Sequence, residues 1–76
     1  MDNLEWTISD SRCIAPGLSV ELVFRNRLQV TQWRVRLIWD DGLQVTNITT
    51  TDQFEAGRCF ENTAREYGEL LNEGVA

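Results

Sequence analysis

Every basic side chain in this 76-residue sequence is an arginine; seven are present, with no lysine and no histidine. The planar guanidinium fork matches the paired oxygens of phosphates and carboxylates, and it also stacks on aromatic rings. Arg34 and Arg36 are two apart, so in an extended segment they share one face. Arg25 can join them from a neighbouring strand, and Asn47 and Thr49 are expected beside them across a hairpin. Such a surface can contact phosphates or read base edges. The missing residue types exclude other chemistry. Histidine general bases, lysine Schiff bases and serine–histidine or cysteine–histidine triads cannot be built from this inventory.

The two cysteines, Cys13 and Cys59, are too few and too far apart in sequence for a zinc site. Met1-Asp2-Asn3-Leu4-Glu5 lacks the basic and apolar character of a signal peptide. No apolar run approaches the ~18 residues that span a bilayer. The expectation is therefore a cytoplasmic location with no membrane contact and with both cysteines as free thiols. Asp40-Asp41 reads as a turn, not as a cation site. Glycine-rich phosphate loops are absent. A thin core offers little depth in which to desolvate a carboxyl group and shift its pKa. No cofactor, no metal and no enzymatic activity are expected.

The elements that would carry these side chains can be read from periodicity. Leu4, Trp6 and Ile8 alternate with polar residues, which predicts a first strand at about 4–9 with those three on its buried face. Asp10-Ser11 opens a break that Pro16-Gly17 closes. A second strand at 18–25 puts Leu18, Val20, Leu22 and Phe24 on one face. A third at 30–40 puts Trp33, Val35, Leu37 and Trp39 on one face. Asp41-Gly42 suits a two-residue type I′ hairpin, which sets Leu37 opposite Thr46 and Val35 opposite Ile48. The fourth strand is then 43–50. The fold class is α+β: a three- or four-stranded antiparallel sheet followed by one C-terminal amphipathic helix.

That helix is expected at 52–73. Asp52 with Glu55, or Thr50 with Gln53, has capping-box spacing, and Gly74 can end it. At 100° per residue, Gln53, Gly57, Phe60, Ala64, Tyr67, Gly68 and Leu71 face the sheet. The glycines suggest close approach. The opposite arc carries Glu55, Glu61, Glu66, Glu69 and Glu73. Ala56, Cys59, Thr63 and Leu70 lie between the two arcs, and a narrow sheet would leave this flank exposed.

Charge is segregated along the chain. The net value of −5 conceals +4 over residues 11–39 and −6 over residues 40–76. From residue 18 to 71, strands followed by a helix opening on Thr-Thr-Asp-Gln-Phe-Glu-Ala resemble the layout of plant AP2 domains and phage-integrase arm-binding domains. That resemblance implies a sheet that binds DNA. It rests on element order alone, and no residue of those families carries over.

Two functions follow as expectations. The first is a single-domain, non-enzymatic protein-binding module, like small regulators and inhibitors of phages and mobile elements. It would meet a partner with a basic surface through Glu55, Ala56, Cys59, Glu66, Leu70 and Glu73, or pair with itself through the apolar flank. The alternative is a nucleic-acid face built from Arg25, Arg34, Arg36, Asn47 and Thr49. The acidic total opposes it. Trp39, beside the acidic turn, is a candidate interface anchor.

Overall fold

The computed structural model describes residues 5–73, with side chains up to Glu69. Four strands, β1 (Thr7–Ala15), β2 (Leu18–Arg27), β3 (Val30–Trp39) and β4 (Gln44–Thr50), are followed by a helix, α1 (Gln53–Glu73). The strands form one antiparallel sheet in the order β1-β2-β3-β4. The helix lies across one face and touches all four strands. This is the α+β class that periodicity indicates.

The central pair shows why. β2 and β3 run in unbroken register, Leu18 opposite Trp39, Val20 opposite Leu37, Leu22 opposite Val35 and Phe24 opposite Trp33. Strict alternation sends this apolar set to one side, where it meets Phe60 and Ala64 of α1. Val20, Val35, Leu37 and Phe60 are all fully or almost fully buried. Asp52 caps the helix: the Phe54 N–H donates to its Oδ1 at 2.9 Å. Glu55 does not complete a capping box, because the Asp52 N–H donates to the Thr50 hydroxyl instead.

The edge strands depart from simple alternation. β1 starts later than its apolar pattern indicates and continues through Asp10-Ser11 to Ala15, carrying bulges at Ser9 and Ile14. Its phase places Ile8 opposite Val23, on the face away from the helix, and Trp6 lies on that face too. Neither joins the helix-side core, and Leu4 lies outside the described residues. β4 carries one bulge, at Asn47, between the pairs Val35–Ile48 and Arg36–Thr46. Leu37 therefore faces Val45, not Thr46.

The turns also exchange roles. Asp40-Asp41-Gly42 is a three-residue loop with Gly42 alone at positive φ (92°), and the Gly42 N–H donates to the Trp39 carbonyl at 2.9 Å. The two-residue turn with both central residues left-handed is Leu28-Gln29 (φ 52° and 66°), closed by the Arg27–Val30 pair. Gly17 (φ 82°) turns β1 into β2, and a Cβ there would come within 3.1 Å of Asp40 Oδ2.

The helix glycines are not close-approach points. A Cβ at Gly57 would meet nothing within 4 Å, and one at Gly68 would make an ordinary 3.8 Å contact with Ile14. Gln53 is exposed despite its place on the expected core arc. The Leu71 side chain and Gly74 fall outside what is described. No helix among the described residues is long and apolar enough to cross a membrane.

Candidate functional site

The flank expected to be free is covered. Ala56 is 0% exposed, Thr63 is 4% exposed, and Cys59 is half-buried against the core. The fourth strand supplies the reason. The bulge puts Asn47 and Ile48 on the helix side together, and Asn47 Nδ2 donates to Thr63 Oγ1 at 2.7 Å. Cys59 Sγ lies 3.8 Å from the same hydroxyl. Ala56, Cys59 and Thr63 are thus interior contacts and not a docking or self-pairing surface. The Leu70 and Glu73 side chains lie outside the described set, whereas Glu55 and Glu66 are exposed.

The other side of α1, facing β1, is open. An open groove of ≈ 650 Å³ runs between the first turns of the helix and the sheet. Leu22 and Trp33 line it from the sheet, Phe60, Phe54 and Gly57 from the helix, and Ser9 and Asp10 from β1. Three features of the chain make this space. The Ser9 bulge interrupts β1 beside it, Gly57 has no side chain to fill it, and Arg58, Glu61 and Asn62 border it with polar groups. Phe54 is 84% exposed, the most exposed large apolar residue among those described. Farther along, Arg12 closes over the helix: its Nη1 and Nη2 donate to the two Glu61 carboxylate oxygens at 2.9 and 3.0 Å. Its guanidinium also lies 5.2 Å from the Phe60 ring centroid. The hydrogen bond from Arg12 holds the Glu61 carboxyl below its usual pKa.

The face away from the helix gathers the arginines. Arg25 Nε donates to Gln32 Oε1 at 2.9 Å, Arg34 Nε to Thr49 Oγ1 at 3.1 Å, and Arg36 Nε to Glu21 Oε1 at 3.0 Å. The Trp6 ring lies under two of them, 4.3 Å from the Arg25 guanidinium carbon and 4.4 Å from that of Arg34. Such contacts are worth ~0.5–2 kcal/mol each, depending on desolvation. Val23 is 0% exposed on this same face, which no helix covers. Burial, and then the charges of Arg25 and Arg36, lower the pKa of Arg34. Arg25, Arg34, Arg36 and Thr49 therefore share one surface as expected. Asn47 does not, because the bulge turns it to the opposite face.

Sequence reasoning missed Trp6 and Phe54. The Leu4-Trp6-Ile8 alternation gives no sign of which sheet face it serves. Phe54 had a visible signal, since it is an aromatic residue one position off the helix's core arc. Among the described residues, no group of three or more Cys, Asp or Glu is placed to hold a metal ion. Comparison with family models, curated proteins and solved structures finds no match for this chain.

Proposed function

We propose that this chain is a small, non-enzymatic protein-binding module that acts by occupying a surface of a larger partner. It docks through the groove between β1 and the first turns of α1. The observation that carries this reading is Phe54, 84% exposed at a groove lined by Leu22, Trp33 and Phe60. An aromatic residue held on a rigid helix beside an apolar recess matches the anchor-and-pocket pattern of interface hot spots. The structure leaves the ring in water, where it lacks the stabilisation that burial of an aromatic side chain provides.

Charge indicates the partner's chemistry. Residues 40–76 carry −6, and Glu55 and Glu66 are exposed along the same helix. A partner segment with an apolar side chain for the groove and basic residues around it fits this surface, and its association is steered and salt-sensitive.

The test is affinity capture from the native host lysate with nuclease treatment, comparing the natural chain with Phe54→Ser and Gly57→Leu. Phe54→Ser removes the anchor, and Gly57→Leu projects a side chain into the groove. A protein retained after nuclease and lost with both folded variants supports the reading. Capture indifferent to both variants, or dependent on nucleic acid, refutes it.

A further inference from the structure

We infer that the row Arg25–Arg34–Arg36 on the face opposite the helix is a binding site for a phosphate group, with Arg34 at its centre. The argument is independent of the groove and its partner.

The first observation is where the positive charge sits. A chain of net charge −5 places three guanidiniums side by side on this face. Glu21 is committed to Arg36, in a pair whose side chains are only 17% and 14% exposed. Arg34 is flanked by two like charges, and its partners are a hydroxyl and an aromatic ring. The two neighbouring positive charges act against its ionisation, and a bound anion would offset that repulsion.

The second observation is preorganisation. All three guanidiniums are held through Nε by a neighbouring strand residue: Gln32, Thr49 and Glu21. The Trp6 ring stacks against two of them. Tethering through Nε fixes the plane of the fork and leaves the terminal Nη pair of Arg34 with no carboxylate among the described residues. Two parallel N–H donors of that kind bind a tetrahedral oxyanion in bidentate fashion. Arginines already ordered lose little side-chain entropy on binding.

Phosphate could arrive as a free ion or in a nucleic-acid backbone, and the shared chemistry is a tetrahedral oxyanion of high charge density. An aromatic residue among arginines also suits a single strand, whose bases can stack on such a surface.

The experiment is an NMR titration of the full chain, following the arginine Nε–H and tryptophan indole N–H signals. Probes are inorganic phosphate, acetate at matched ionic strength, and oligothymidylate. The expected result is saturable movement of the Arg34 and Trp6 signals with phosphate and not with acetate. Arg34→Gln should weaken binding about tenfold or more, as loss of a charge-assisted hydrogen bond implies. Arg27→Gln, which removes the same charge from an exposed position, should change it far less. Tighter binding of oligothymidylate at the same signals assigns the site to a nucleic-acid backbone; response to phosphate alone assigns it to the free ion. No saturable response to phosphate, or equal losses from Arg34→Gln and Arg27→Gln in folded protein, overturns the inference.

Discussion

The turn at Leu28-Gln29 provides a quantitative test of the fold. Both residues are left-handed, with φ of 52° and 66°, a conformation that costs an L-residue about 1–2 kcal/mol. Neither side chain offers an evident compensation, since Leu28 is 77% exposed. Asparagine and glycine adopt this geometry readily and are the favoured pair in type I′ turns. Leu28→Asn with Gln29→Gly should therefore remove most of the strain. Part of the gain is returned, because glycine loses about 0.5–1 kcal/mol more chain entropy on folding. The net expectation is a stabilisation of about 1–2 kcal/mol. For a chain of this length that raises Tm by about 5–10 °C. Thermal melting by circular dichroism, with a urea titration to check that the m-value is unchanged, measures it. A lowered or unaltered Tm would refute the assignment of the strained turn to Leu28-Gln29. Gly42→Ala is the internal comparison. Its positive φ of 92° and open surroundings predict a loss of about 1 kcal/mol with nothing gained in packing.

Three further outcomes are expected. Asn47→Ala deprives the buried Thr63 hydroxyl of its donor and should lower stability by about 1–2 kcal/mol in urea titration; no loss would mean that the bulge does not turn Asn47 inward. Gly57→Ala should raise stability by about 1 kcal/mol, since a helix-interior glycine with open space around it gains propensity without a clash. The third concerns pH. The Glu61 carboxyl is held below its ordinary pKa by Arg12, so its contribution is present above the unfolded value of about 4.3 and is lost as pH falls through the lower folded value. Arg12→Gln should therefore flatten the acid limb of the stability profile. The effect should be small and should shrink in salt, because the pair is largely exposed.

How much was legible in the sequence differs from element to element. β2 and β3 are central, so each alternates without interruption, and their faces could be read directly. The position of α1 was also readable, because side-chain chemistry at a helix start is local; of the two cap candidates, Thr50 and Asp52, it is Asp52 that caps the helix. β1 and β4 are edges, and all three bulges lie in them: Ser9, Ile14 and Asn47. A bulge breaks the period of two without altering composition, so polarity alone read Asp10-Ser11 as the end of β1 and put Asn47 on the arginine face. The turns misled for a related reason. Asp41-Gly42 has the residues of a two-residue hairpin, yet the pairing of Trp39 with Leu43 makes the loop one residue longer. Leu28-Gln29 has no turn chemistry, and the flanking register imposes the tight turn. The arginine surface was legible as residues two apart. Trp6 beneath it was not, because a short alternating strand can be assigned to either face.

The extra residue in β4 works like a change of reading frame. Residues 44–46 and 48–50 follow opposite phases, and Asn47 is where the phase resets. Removing Asn47 would join the two segments in one unbroken alternation, with Val45 and Ile48 still on the helix side and the hydrogen bond to Thr63 lost. The extra residue thus serves the contact with Thr63 and not the register, since Thr49 faces Arg34 with or without it.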